Sequence, residues 1–335
     1  MNKKKIINDP VYGFITIPGE LIFDIISHPY FQRLRHIKQL GLTDYIYPGA
    51  LHTRFQHALG AMHLMGEVLD NLRLKGIEIS DREFEASRIA VLLHDMGHGP
   101  FSHALEDTFL HDISHESMSY RFMEHLNKTF NGALDLSIKI FRNVYPRKFF
   151  HSLVSSQLDI DRLDYLKRDC FFTGVQEGTV GVDRIVAMLN VHKDELVVEE
   201  KGIYSIENFL HARRLMYWQV YLHKTTVSAE RMLVNTIRRA QALVRAGESL
   251  AATDSLMVFL KEEITPGHFT ENNNLLNTFG RLDDNDVWGA LKYWQHHNDR
   301  ILSLLSGMLL ERNLFKIMLS TEPIKKSVAE KIHQE

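Results

Sequence analysis

The sequence predicts a mainly α-helical fold with one or two small β-hairpins. Apolar residues recur at helical spacing through most of the 335 residues, while strand-like alternation is confined to a few short runs. No repeat, low-complexity tract or Pro/Gly/Ser linker divides the chain. With 44% hydrophobic and 24% charged residues, it can bury a sizeable core.

Near the start, IIND and FITI flank Tyr12-Gly13 and predict a hairpin. Helices are expected at about 19–27, 29–40 and 53–74. The segment 80–96 gives the clearest signal: Ser80 and Glu83 have capping-box spacing, Ile89, Leu92, Leu93 and Met96 recur at helical spacing, and Gly97 with Gly99-Pro100 ends the helix. Further helices are expected at about 115–127, 133–143, 157–170 and 182–189. A second hairpin is expected where ELVVEE and IYSI flank Lys201-Gly202, followed by helices at about 205–226, 228–246, 253–263, 284–296 and 298–312. The three tryptophans, Trp218, Trp288 and Trp294, read as packing residues.

A formal charge of -3 provides no general attraction for a polyanion, so nucleic-acid binding is not favoured and phosphate chemistry must be concentrated locally. The single cysteine, Cys170, cannot form an intrachain disulfide, which fits a reducing compartment. Asn8, Asp9 and Pro10 break the apolar stretch that a secretory signal would need after the basic start, and ILSLLSGMLL (301–310) is too short to span a bilayer. A cytoplasmic protein without a membrane partner is expected.

The chemistry concentrates in HDMGHGPFSH, residues 94–103. Three readings compete: a metal site, proton-transfer groups, or core histidines satisfied by hydrogen bonds. His94 and Asp95 diverge by about 100° on a helix, so both reach one ion only beside its end. His57 lies on a helix whose small residues Ala58, Gly60 and Ala61 let another helix approach, with Arg54 three residues earlier on the same face. In SSQLDIDRLDYLKRD, residues 155–169, Asp161, Asp164, Tyr165, Arg168 and Asp169 form a polar band, which also reads as a solvated face with an Asp164–Arg168 ion pair. Together, two imidazoles and two carboxylates suit a divalent ion such as Mn, Fe, Mg or Zn, which activates water and polarises phosphorus.

The ordered set His57, His94-Asp95 and Asp161 resembles the signature of HD-domain metal phosphohydrolases. The segments INDPVYGFITI, PYFQRLRHIKQLG, YPGALHTRFQHALG, LLHDMGHGPFSH, SHES and LDIDRLDYLKRD resemble, in order, its deoxynucleoside triphosphate triphosphohydrolase branch, strongly over roughly 1–225. The resemblance implies an HD-domain helical fold over 1–320, with a catalytic core of about 30–225 and a helical extension of about 226–320. Residues 321–335 then form a polar C-terminal segment, and the chain is short relative to family members that continue past ERNLFK.

It further implies hydrolysis of a dNTP substrate to a deoxynucleoside and inorganic triphosphate, in a homo-oligomer. Under it, His57, His94, Asp95 and Asp161 are metal ligands, and Arg54 faces the phosphates. His98, His103 and His115 are active-site histidines, with His103 the expected general acid oriented by Glu106, where the family carries Asp. Gln39 and Asp169 hold the sugar 3′-hydroxyl, Tyr165 packs on the deoxyribose, and Arg213 and Tyr221 contact the phosphate and base sides. The alternatives are an HD phosphohydrolase acting on a nucleoside monophosphate, cyclic dinucleotide or alarmone, and a non-catalytic dNTP sensor.

Overall fold

A computed structural model describes residues 5–271, 274–317 and 323. Except for Pro323, the expected C-terminal segment 321–335 lies outside the described residues. The architecture is helical, with two separate two-stranded antiparallel sheets. Eight helices build and support the site: α1 (Arg54–Leu74), α2 (Asp81–Leu93), α3 (His115–Thr129), α4 (Ile160–Thr173), α5 (Ile203–Met216), α6 (Lys224–Arg245), α7 (Asp284–Trp294) and α8 (Arg300–Leu310).

Helix α1 is the central post. It is apolar around most of its circumference, with Ala58, Leu59, Met62, Met65, Val68 and Leu69 all buried, so it needs neighbours on several sides. Helices α2 and α4 provide two of them. Each fully buried leucine or methionine here contributes roughly 1.5–3 kcal/mol relative to exposure. The capping box predicted at Ser80 and Glu83 is present, the Ser80 amide donating to Glu83 Oε2 at 2.8 Å. Among the described residues, no helix is long and apolar enough to cross a membrane.

The first hairpin pairs β1 (Lys5–Asp9) with β2 (Gly13–Ile17), turning at Gly13, whose φ is +73°. The second differs from expectation. It pairs β3 (Leu189–His192) with β4 (Glu195–Val198), so ELVVEE joins the preceding LNVH, and IYSI opens α5. Lys193 and Asp194 both adopt positive φ, as a two-residue hairpin turn requires, whereas Gly202 stays at φ -86° and leads into a helix.

Two expected helices are also interrupted. The helix from Pro29 ends at Gln32 and gives way to a tight turn over Arg33–His36. Beyond it, Ile37 is extended because its carbonyl accepts from the Arg54 amide at 3.0 Å. The long helix expected after 205 stops at Met216, passes through a wider π turn at Tyr217–Tyr221, and restarts at Lys224 with His223 Nδ1 capping the Thr225 amide. Trp294 is buried and donates to the Ala251 carbonyl, but Trp218 is 63% exposed, contrary to a packing role.

Candidate active site

Three segments meet at one end of α1, the first turn of α1 itself among them. His57 sits in the first turn of α1, and His94 caps the C-terminus of α2, with Asp95 in the turn beyond rather than inside the helix. Asp161 lies in the first turn of α4, whose cap Asp159 accepts from the Arg162 amide. The two imidazoles meet head-on, Nε2 to Nε2 at 3.5 Å, and Asp161 Oδ1 is 3.1 Å from His57 Nε2 and 3.4 Å from His94 Nε2. Asp95 stands beside this group, 3.3 Å from His94 Nε2 and 3.7 Å from His57 Nε2. Its carboxylate is shared with Arg54 Nη1 and with His98 Nδ1.

The hydrogen bonds on the far sides of the rings decide what this meeting point can hold. His57 Nδ1 donates to Asp164 Oδ2 at 2.7 Å, and His94 Nδ1 donates to the Val91 carbonyl at 2.6 Å. With both Nδ1 atoms protonated, each neutral ring turns a lone pair on Nε2 toward the other and toward a carboxylate. Lone pairs and anionic oxygens at such distances repel unless a cation lies among them. The electrostatics agree: burial disfavours a charged His57, yet Asp161 and Asp164 outweigh it and lift its pKa to about 10. A field that retains a proton there attracts a metal ion, and two nitrogens with carboxylate oxygens fit a divalent transition ion.

A second group neighbours the first. His98 and His115 stack at 4.0 Å between centroids, and His103 meets both edge-on. Glu106 opens a short helix and binds His103 Nδ1 at 3.2 Å, His115 Nδ1 at 3.0 Å and the His115 amide at 2.6 Å. These four residues are also close enough to hold an ion. The Nδ1 protons of His103 and His115 already satisfy Glu106, however, so no cation is needed to balance it. Burial, then the Arg54 charge, depresses the His98 pKa well below the usual imidazole value, and its Nε2 has no partner.

Gly97 permits this proximity. A Cβ there would lie 2.0 Å from the His115 carbonyl oxygen, so only glycine lets α3 approach the turn. Ser119 on α3 then pins that turn, donating to the His94 carbonyl at 2.5 Å and accepting from the Gly97 amide at 2.8 Å.

A cavity of about 350 Å³ opens over both groups. Arg54 is only 3% exposed and lines it, with Nε donating to Ser102 Oγ at 2.8 Å. Gln39, Tyr165, Asp169 and Tyr221 also line it. Gln39 Oε1 is buried without a partner and is free to accept from a ligand. Asp169 accepts from Tyr221 OH at 2.8 Å and contacts His52 Nε2 at 2.7 Å. Arg213 is the exception: it does not line the cavity but contacts Gln157 and the ring of Tyr217, which does.

Residues 54–168 match the HD domain, and residues 180–263 match the HD-associated region. A phosphohydrolase from Bacteroides thetaiotaomicron is 55% identical and superposes with a TM-score of 0.95 over 99% of this chain and 83% of that one. The chain belongs to the HD-domain phosphohydrolases. The Bacillus subtilis protein YwfO is 34% identical over 94% of this chain and 72% of its own length. A Dictyostelium discoideum homologue of the deoxynucleoside triphosphate triphosphohydrolase SAMHD1 is 31% identical over 73% of this chain, and bovine SAMHD1 is 28% identical over 96%. The chain spans 51% and 59% of those two proteins.

An HD domain implies a divalent metal, and the His57–His94–Asp161 group is consistent with that. The polar band on α4 is not a solvated face in this HD phosphohydrolase. Asp164 and Arg168 are fully buried, with Arg168 Nε 3.0 Å from Asp164 Oδ2 and Nη1 2.8 Å from Asp9 Oδ2. The β1–β2 hairpin is thereby bolted to the helix that carries Asp161. Gly60 clears the space, since a Cβ there would lie 2.1 Å from both Asp164 Oδ1 and Arg168 Nη2. His52 was not legible as a site residue, because its partner Asp169 lies 117 positions away.

Proposed function

We propose that this HD phosphohydrolase cleaves deoxynucleoside triphosphates to a deoxynucleoside and inorganic triphosphate. The observation that carries the reading is one cavity lined by two unlike sets of groups: Asp95 and Asp161, the carboxylates beside the His57–His94 pair, with the Arg54 guanidinium in one, and Gln39, Asp169, Tyr165 and Tyr221 in the other. Phosphates and a sugar need those two surfaces. The names of the SAMHD1 relatives support the same substrate class.

His57, His94, Asp95 and Asp161 would hold Mn, Fe, Mg or Zn, which when bound supplies Lewis acidity at phosphorus and lowers the pKa of water. Arg54, fixed by Ser102 and Asp95, offers its remaining N–H groups to phosphate oxygens. Glu106 fixes the Nδ1 protons of His103 and His115, so that His103 in its doubly protonated form delivers the Nε2 proton to the departing 5′-oxygen and is left as the neutral Nδ1–H ring. Gln39 and Asp169 receive the 3′-hydroxyl. Tyr165, in edge contact with Tyr221 at 6.1 Å, packs on the deoxyribose and excludes a 2′-hydroxyl. Tyr221 flanks the base, and Arg213 would approach the phosphates only after leaving Gln157.

The catalytic core is taken as about 30–225 and the helical extension as about 226–320. The exposed apolar side chains of Leu210 and Leu215 on α5 and of Trp218 and Leu222 beyond it support a homo-oligomer. Incubation with each dNTP, singly and mixed, with Mn²⁺ or Mg²⁺ and anion-exchange separation tests the reading. Intact triphosphate is expected; monophosphate products, or ligand-induced stabilisation without turnover, would move the assignment to another HD reaction or to a sensor.

A further inference from the structure

We infer that Asp284, in the helical extension, is a positioning residue for the catalytic loop and for Arg54. It begins α7, outside both matched family regions, yet its carboxylate is turned into the protein and is 4% exposed. Oδ1 accepts from the Phe101 amide at 2.7 Å, and Oδ2 accepts from the Lys38 amide at 2.9 Å. One side chain therefore joins two segments that are 63 residues apart, counted from Lys38 to Phe101.

Both segments are held in conformations that need an external partner. Phe101 and Ser102 have φ of 55° and 53°, consecutive left-handed residues neither of which is glycine. Lys38 lies in the stretch that leaves the helical path and bridges to Thr53, immediately before Arg54. The chain of contacts then runs onward. Ser102 Oγ donates to the Lys38 carbonyl at 3.2 Å and accepts from Arg54 Nε at 2.8 Å, while Arg54 Nη1 pairs with Asp95. His103 follows Ser102 directly, and Gln39 follows Lys38.

A second clamp crosses the same junction. Arg33, buried against the Phe122 and Phe279 rings, donates from Nη1 to the Leu282 carbonyl and from Nη2 to the Met96 carbonyl, each at 2.8 Å. The segment 282–284 is thus tied twice to the turn that carries the site. A helix serving only as cover would bury apolar side chains there; instead it presents an ionisable group whose two acceptors are both spent on amides that flank the site. The extension thereby fixes where the Arg54 guanidinium points.

The inference rests on the reading of Arg54 as a phosphate-facing arginine, so the test separates the two. Inorganic triphosphate is titrated calorimetrically into Mn²⁺-loaded wild type, Arg54→Ala, Asp284→Asn, Ser102→Ala and the Asp284→Asn/Ser102→Ala double variant. Metal content and exchange of the Lys38 and Phe101 amides are measured alongside. Asp284→Asn is expected to weaken triphosphate binding about tenfold or more with metal content unchanged. Both amides should exchange faster while the α1 core amides do not. Because Asp284 acts through Ser102, the double variant should lose little beyond the single ones.

Loss in Arg54→Ala but wild-type affinity in Asp284→Asn overturns this inference alone. Wild-type affinity in Arg54→Ala overturns the phosphate reading and this inference with it. Fully additive losses in the double variant assign Asp284 a merely structural role. Should Asp284→Asn fail to fold, Ser102→Ala breaks the same relay beyond Asp284 and must show the same tenfold loss, and wild-type affinity there refutes the relay.

Discussion

Replacing Asp164 with asparagine should weaken metal binding and stability together, by amounts that can be separated. Asp164 is fully buried and lies outside the cavity lining, yet it accepts from His57 Nδ1 at 2.7 Å and from Arg168 Nε at 3.0 Å. Burial alone would favour its protonated form, but Arg168 and His57 hold its pKa at about 2, so it is a carboxylate at any working pH. The stability this provides is present above the unfolded carboxylate range and is lost only as pH falls through about 2. Uncoupling a buried ion pair costs about 3–5 kcal/mol. Arg168 keeps Asp9 at 2.8 Å, which puts the expected loss at about 3 kcal/mol, the lower end of the range for such pairs. The asparagine can present an amide donor to His57 and release the imidazole from its tautomer, which for a ligand-orienting partner costs about 10–100-fold in metal affinity. Urea unfolding in chelator reads the first quantity, and Mn²⁺ calorimetry on folded protein reads the second. Wild-type Mn²⁺ affinity in a folded but destabilised Asp164→Asn protein would refute the claim that this carboxylate sets the tautomer of His57.

Arg54→Lys should retain metal but lower kcat by about 10²-fold, because a lysine cannot reach Ser102 and Asp95 while offering a fork to phosphate; steady-state kinetics with metal analysis checks it. Gly97→Ala should destabilise by about 3 kcal/mol, since the atoms 2.0 and 2.4 Å from the new Cβ are backbone atoms of α3 that cannot swing aside. Chemical unfolding measures that loss, and a cost within error of zero would show that α3 can retreat. Burial lifts the Glu230 pKa to about 7, so its folded form binds a proton more tightly than its unfolded form. That contribution is intact below the unfolded carboxylate pKa and is lost as pH rises through about 7. Glu230→Gln should therefore gain stability over wild type as pH rises from about 4 to about 8, by about 3 kcal/mol at most; a pH-independent difference between their melts would contradict it.

Features set by neighbours in the sequence were legible there. The Ser80–Glu83 capping box and the Tyr12-Gly13 hairpin each need only a few residues, and both formed. The Lys201-Gly202 hairpin failed on the same logic, because the glycine signal was present but the two-residue turn at Lys193–Asp194 had already closed the strand on its other side. Tertiary bonds account for the remaining differences. Nothing near Lys38 announces that its amide will be claimed by a carboxylate 246 residues later, and that bond helps end the helix expected over 29–40.

The candidate site divides along the same line. The identities of His57, His94 and Asp161 could be read as a ligand set, but a core histidine bonded to an aspartate would have left the same residues in the sequence. What separates the two is which ring nitrogen is occupied. Asp164 and the Val91 carbonyl take the Nδ1 protons from behind, so the two Nε2 atoms converge with the Asp161 carboxylate on one point that only a cation, a shared proton or a metal ion, can satisfy. Those partners exist because Gly60 lets α4 come within reach of α1 and Arg168 neutralises the carboxylate that α4 brings. A pattern of histidines and aspartates thus becomes a candidate metal site through residues that stand behind it, and those residues become visible only when the helices are packed.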